Sequence, residues 1–473
     1  MTDGRIHLNG MKTFAPAHTA PGLWRHPLSQ AHRYRELGFW VRQAQMLEQG
    51  FFDSLFITDG LGVLDIYRGT AEAALREGLQ TPVDDPLLVI SAMAAATARL
   101  GFVVTVSCTY EQPYALARKL TTLDHLTDGR IGWNVVTSAL DSAARNLGLT
   151  EQLSHDERYA RADEFMEVVY KLWEGSWEED AVVADRAAGV YADPAKVHPI
   201  GHEGAWFQVP GMFLCEPSAQ RTPVICQAGA SPAGRAFAAR HAEEVFVSGQ
   251  RPDIVRAIVD DIRGQAADCG RDPRSLKFVT SMTVVSAPTA AEAHAKLDDY
   301  RSFASVEGNL ARLSGTVLVD IGQLDLDQPL EYVETAGIQG IMRNFTIADP
   351  ARRWTPREIG DFMKVSGYGP LAVGSPAQVA GELERWAEEA DLDGFNIPDV
   401  LPPATFADFT ELVVPELQRR GRVWPDYEGA TLREYLGEPG QPRVADNHPA
   451  ARYRAPKGFS QLPAEDPGRR STR

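Results

Sequence analysis

Cysteine is scarce in this 473-residue chain, and its four cysteines (Cys108, Cys215, Cys226, Cys269) form no Cys-x-x-Cys pair. Such spacing argues against a disulfide framework or a cysteine zinc site and reads as reduced thiols in a cytoplasmic protein. Long hydrophobic runs are missing too. The longest, 87–98, is about 12 residues, against the roughly 20 that a membrane span needs. The N-terminus, MTDGRIHLNG, lacks the apolar stretch of a signal peptide. Positive charge is in deficit: 47 Lys and Arg against 64 Asp and Glu leave a formal net charge of −17. Such a polyanion repels phosphate backbones and anionic lipid heads, so neither nucleic acid nor a membrane surface is an expected partner. A single local positive pocket would still suffice for a small anionic cofactor. No G-x-G-x-x-G follows the first strand candidate, which argues against a Rossmann sheet. His198 and His202 have i,i+4 spacing, but Pro199, Gly201 and Gly204 rule out a helix there, so no metal site is expected.

What the chain does have is alternation. Short β-rich runs at 5–11, 54–59, 100–107, 130–137, 223–227, 244–248, 276–285 and 394–397 are separated by longer helical patterns such as 33–49, 86–98 and 113–126. Near-continuous apolar strands, each followed by a helix, predict a parallel sheet covered on both faces. Eight such units predict an α/β fold closed as a (β/α)8 TIM barrel, where five or six would suggest an open sheet. Two stretches, about 174–222 and 304–370, exceed plain crossovers and are expected as rim insertions that shape the active site. Residues 1–436 read as one barrel domain. Residues 437–473, rich in Pro, Arg and Gly, read as an arm on a neighbouring subunit or a disordered tail.

In a barrel, chemistry stands at strand C-terminal ends. Those positions hold Asp59, Thr105, Ser107, Asn134, Thr137, Ser138, Gly229 and Ser231. A set of neutral hydrogen-bonders with one carboxylate suits a polar heterocycle better than hydrolysis or metal chemistry; the plainer alternative is that they only cap strands and helices. Ser231 is placed to cap a helix with Pro232 at its first position, and free N–H groups there make a phosphate seat or, more simply, an ordinary cap. His155 and Tyr159 are four residues apart on one helix and share a face. They could meet one ligand or form a solvated first turn.

Several segments are closely similar to the nitrilotriacetate monooxygenase family of the bacterial luciferase superfamily. They include Trp24-Arg-His-Pro27, Phe52-Asp-Ser-Leu-Phe-Ile-Thr-Asp59, Trp133-Asn-Val-Val-Thr-Ser138, Arg158-Tyr-Ala-Arg-Ala-Asp-Glu-Phe165, Gln227-Ala-Gly-Ala-Ser-Pro232 and Asp393-Gly-Phe-Asn-Ile397. The likeness runs in order through roughly 5–436. It implies a TIM barrel that binds FMN at its C-terminal mouth through the matching positions Asp59, Thr105, His155, Tyr159 and Ser231, with Gly229 in the same turn. Tyr159 and Ser231 would lie near the phosphate, Asp59 and Thr105 near the rings. It also implies a two-component mechanism. A separate NAD(P)H:flavin reductase supplies FMNH2, O2 is the co-substrate, and a flavin peroxide attacks carbon beside nitrogen or sulfur. Asn134 and Thr137 are then the candidates for peroxide contacts, and His155 for a proton relay. A homodimer or homotetramer is expected. The rivals are a deazaflavin (F420)-dependent dehydrogenase of the same superfamily and a non-catalytic flavin-binding barrel. For the substrate, Lys12, Arg25, Arg343 and Arg352 could supply an aminopolycarboxylate site. Phe14, Phe56, Trp133 and Phe345 could instead supply an apolar box for an aromatic sulfur compound.

Overall fold

The computed structural model describes residues 4–454 apart from Ala230, Ala336 and Pro350. Eight parallel strands close into a barrel: β1 (His7–Thr13), β2 (Ser54–Thr58), β3 (Gly101–Ser107), β4 (Ile131–Val136), β5 (Val224–Gln227), β6 (Glu244–Val247), β7 (Lys277–Ser281) and β8 (Gly394–Pro398). Their order around the barrel is β1-β8-β7-β6-β5-β4-β3-β2, as expected for a (β/α)8 TIM barrel. Helices cover the outside, so nearly every strand residue is buried whichever way it points. The helices Pro113–Leu126, Pro252–Asp268 and Pro376–Ala390 each begin on proline, at the position where a missing N–H costs nothing. Between strands and helices lies one continuous apolar layer containing Trp40, Phe102, Trp133, Phe165, Phe278 and Phe395. Inside the barrel, near the strands' N-terminal ends, a polar plug forms. Asn9 donates to Glu244 (3.1 Å) and to Asn396 (3.0 Å), and receives the Ser54 hydroxyl at 2.7 Å.

Three expectations need correction. The seventh strand does not run through to residue 285. It leaves the barrel after Ser281, and Thr283–Ser286 pairs in parallel with Leu371–Gly374, a strand the sequence pattern did not reveal. From this two-stranded root rises the 304–370 insertion, whose helices Val306–Val317 and Pro356–Ser366 enclose their own core of Leu310, Leu313, Phe345, Trp354 and Met363. The 174–222 stretch forms two small hairpins, Val182–Asp185 with Val190–Ala192 and His202–Glu203 with Gln208–Val209. It was expected at the active-site rim, yet it follows the helix His155–Tyr170. Its Phe207 lies under Arg161 and its Met212 carbonyl accepts from Tyr114, on the outside of the barrel, and none of its described residues lines the cavity at the mouth. Finally, the expected boundary at residue 436 is not a break in packing. Val444, Ala450 and Tyr453 join the barrel's main core, and His448 Nε2 lies 3.0 Å from the His241 carbonyl. The rest of the expected tail, 455–473, lies outside the described residues. Among the described residues no helix is long and apolar enough to cross a membrane.

Candidate active site

The C-terminal ends of the strands and the insertion surround a cavity of about 340 Å³. Most of its wall is apolar, with Met11, Phe56, Val136, Leu140, Phe246 and Ile341 among the contributors. Four of the strand-end residues nominated from the sequence line it: Asp59, Thr105, Asn134 and Ser138. Asp59 follows β2, and burial pushes its carboxyl up to about 6 against the opposing pull of the Gly60 N–H. Thr105 and Asn134 are ladder partners on β3 and β4, which sets them side by side at the barrel mouth. The Asn134 amide donates to Thr105 Oγ1 at 2.9 Å, while its carbonyl oxygen is buried with no protein donor. A buried acceptor left unpaired costs about 1–3 kcal/mol, so it marks a point where a bound molecule would gain by donating.

The second group stands at the start of two helices. A capping box between Ser154 and Glu157 fixes the first turn of His155–Tyr170 and so aims His155 and Tyr159 the same way. His155 Nε2 lies 2.9 Å from Ser231 Oγ, and its Nδ1 lies 3.0 Å from the Asp156 carboxylate. With Nδ1–H donating to Asp156, Nε2 is free to accept from the Ser231 hydroxyl. Ser231 also caps the helix Pro232–His241, accepting the Gly234 N–H at 3.1 Å. The Tyr159 hydroxyl meets those of Ser231 and Thr137, and burial raises the phenol so that it stays protonated. This hydroxyl is wedged between two glycines: a Cβ would stand 2.8 Å from it at Gly229 and 2.7 Å from it at Gly234. Close approach of side chain to backbone is why these positions hold glycine.

The turn after β4 joins the two groups. Val136, Ser138, Ala139 and Leu140 face the cavity, and Thr137 does not. Thr137, expected with Asn134 beside the ring, instead joins Tyr159. Alternation along an extended strand explains it: Asn134, Val136 and Ser138 share one face, and Thr137 takes the other. Ser138 holds a left-handed backbone (φ +50°), donates to Ser107 Oγ at 2.9 Å, and offers its carbonyl to Arg158.

Of the eight side chains expected to choose the substrate, only Phe56 lines the cavity. Lys12 is committed to Asp399 and lies over the Phe39 ring, and Arg25 donates to the carbonyls of Gly22 and Phe303. Arg343 and Arg352 lie over the rings of Tyr332 and Trp354. Phe14 packs on Trp40, Trp133 donates to the Val106 carbonyl in the outer core, and Phe345 belongs to the insertion's core. Sequence reasoning missed His18, Gln80, Arg312 and Tyr368, all of which line the cavity. His18 sits in the loop after β1, where the strand-end rule could have found it. Arg312 and Tyr368 come from the insertion and carry no strand signal. A larger open depression of about 660 Å³ lies on the outer face instead, where its charges are already paired, Asp163 with Arg240 and Glu167 with Lys171.

Comparison with known proteins agrees with this geometry. The luciferase-like monooxygenase family matches residues 13–393. A dimethyl-sulfide monooxygenase of Hyphomicrobium sulfonivorans is 49% identical over 95% of this chain and 94% of its own length. A long-chain alkane monooxygenase of Geobacillus thermodenitrificans is 48% identical over 95% of this chain and 98% of its own. The crystal structure of a riboflavin lyase with modified FMN and riboflavin superposes with a TM-score of 0.90, at 37% identity, over 95% of this chain and 100% of that one. An eight-stranded barrel and near-full-length kinship converge: the chain is an oxidoreductase that belongs to the luciferase-like monooxygenase family.

Proposed function

We propose that this chain is the oxygenating component of a two-component system. It takes FMNH2 from a separate NAD(P)H:flavin reductase and uses O2 to oxidise a small sulfur- or nitrogen-containing substrate of largely apolar body. One observation carries this: two differently built halves adjoin at a single mouth. One half is the seat of His155, Tyr159, Ser231 and the first turn of Pro232–His241; the other is the apolar cavity with the unpartnered Asn134 oxygen. A heterocycle with a phosphate tail needs both. Its tail suits hydroxyls and helix N–H groups, and its ring suits a flat apolar slot with a few hydrogen bonds. In this reading Tyr159, Ser231 and the Gly234 N–H hold the phosphate, while Asp59, Thr105 and Asn134 hold the ring edge.

When bound, reduced flavin supplies the electrons that activate O2. The chain's residues do the rest. Phe56, Val136, Leu140 and Phe246 exclude water from the cavity. Thr105 fixes the Asn134 amide, leaving its carbonyl to orient a donor. His155 Nε2 can take a proton from the Ser231 hydroxyl 2.9 Å away. A separate reductase fits the lack of a dinucleotide fingerprint after β1. Among the described residues Arg312 is the one arginine that lines the cavity, which argues against a substrate bearing several carboxylates, since the others would be buried without a partner.

The test is anaerobic titration with FMN and FMNH2, then O2 uptake with an added NADH:FMN reductase and a panel of alkyl sulfides and amines. FMNH2 is expected to bind more tightly than FMN, with O2 uptake coupled to product. Failure of FMNH2 to bind overturns the proposal.

A further inference from the structure

We infer that Arg312 makes the mouth cavity a site for a substrate with one oxyanion head, a carboxylate or a sulfonate, on an apolar body. The inference rests on the proposed function only in calling this cavity's occupant the substrate. Arg312 projects from the insertion helix Val306–Val317 into the cavity and is 8% exposed. Among the described residues no carboxylate lies within 4.0 Å of it. Among those residues its one hydrogen bond runs from Nη1 to the Thr19 carbonyl at 3.3 Å, and its Cζ lies 4.4 Å from the Tyr368 ring centroid. Two other buried arginines sit against carboxylates. Arg433 donates to Glu243 at 2.6 and 2.9 Å, and Arg263 faces Asp391 and Asp393 at 3.2 and 3.4 Å. A guanidinium carries five N–H donors, so most of those of Arg312 lack an acceptor. A buried cation without a counter-charge is costly, and an oxyanion that binds two of its N–H groups would relieve the cost.

The surroundings provide the charge to be met and no competitor. His18 lines the same cavity, and both burial and the nearby Arg312 hold its imidazole well below the usual range, so it stays neutral. Tyr368 shares a hydrogen bond of 2.6 Å with Thr316 Oγ1 and is held protonated by burial. Asp59, the cavity's only carboxyl among the described residues, is not an ion-pair partner of Arg312. The backbone also makes room: a Cβ at Gly367 would lie 2.5 Å from Arg312 Nη1. Much of the rest of the cavity wall is apolar, including Phe56, Leu64, Phe246 and Ile341. One charged end and one apolar body describe the ligand.

The experiment uses the flavin-free full-length chain, titrated by calorimetry with hexanoate, pentanesulfonate and the neutral hexanamide. At least one of the two anions is expected to bind about tenfold or more tightly than the amide, as charge-assisted hydrogen bonds would give. R312Q is expected to bring all three to similar affinity while FMN affinity stays within about twofold of wild type. R312K keeps the charge but loses the fork, and is expected to weaken the preferred anion severalfold without changing the amide. It serves as the test should R312Q fail to fold. Equal binding of anion and amide by the wild type overturns the inference. So does a preference that survives R312Q, or a loss of FMN affinity that matches the loss of the anion, since the guanidinium would then serve the flavin. Failure of both FMN and anaerobic FMNH2 to bind, with the anion preference intact, removes the proposed function and leaves this inference standing.

Discussion

Gly229→Ala probes the proposed phosphate seat with one added carbon. Its Cβ would stand 2.3 Å from Gln227 Nε2, 2.8 Å from the Tyr159 hydroxyl and 2.9 Å from Gly234 Cα. These contacts differ in how far they can yield. The Gln227 amide ends a flexible side chain and can swing aside. The Tyr159 ring is braced by His155 and Phe237, at 5.1 and 5.8 Å between centroids, and Gly234 Cα belongs to the first turn of a helix. Reaching the 3.4 Å of ordinary contact requires shifts of about 0.6 Å at the hydroxyl and 0.5 Å at the helix. Overpacking of this kind costs about 1–3 kcal/mol. In so large a chain that is a fall in Tm of a few degrees at most. The functional cost is expected to be larger in proportion. Displacing Tyr159 and the Pro232–His241 turn by about half an ångström moves the proposed phosphate donors together, and a loss of about 1.4 kcal/mol is already tenfold in affinity. Anaerobic titration with FMNH2 should therefore show at least about a tenfold weakening, alongside a small thermal shift. A lowered Tm with unchanged FMNH2 affinity would refute the role of this seat. An unchanged Tm would refute the crowding itself.

Two further outcomes follow from buried polar groups. Burial raises Glu244 to about 7, above its unfolded value of 4.5, so the wild type should lose stability as pH rises from about 4.5 through 7, by about 3 kcal/mol when complete. Glu244→Gln keeps an acceptor for Asn9 and cannot ionise; its stability relative to wild type should rise over that window in chemical melts at pH 5 and 8, and an unchanged difference would refute the account. Asn134→Ala removes the cavity's unpartnered carbonyl and the bond to Thr105, and should lower coupled oxygenation by about a hundredfold, as loss of one preorganised polar group does. Coupled turnover equal to wild type would withdraw Asn134 from the reaction.

The barrel was legible because its signal is local and repeated. Each strand is a short apolar run, and each run's last residues mark the mouth, which is why Asp59, Thr105, Asn134 and Ser231 read as mouth residues from the sequence. The same logic, applied one residue too freely, grouped Thr137 with Asn134. Period-2 alternation was available and would have separated them. The seventh strand was drawn through to residue 285 because an apolar run does not announce where it changes neighbours. Only the pairing of Thr283–Ser286 with Leu371–Gly374 ends it.

The substrate-facing residues were illegible for a different reason. Whether a cation is available to a ligand depends on what else reaches it, and that is a long-range property. Lys12 stands at the end of β1 as well placed as any strand-end residue, yet Asp399, 387 residues away, neutralises it. Arg352 is as charged as Arg312, but it lies over Trp354, two residues on, and outside the cavity. Arg312 owes its freedom to the absence of any such partner in a wall assembled from β1's loop, the insertion and Gly367. On the proposed function, the strands thus fix where the cofactor's chemistry can happen. The insertion, which shares no period with them, supplies the charge that would select what is oxidised there.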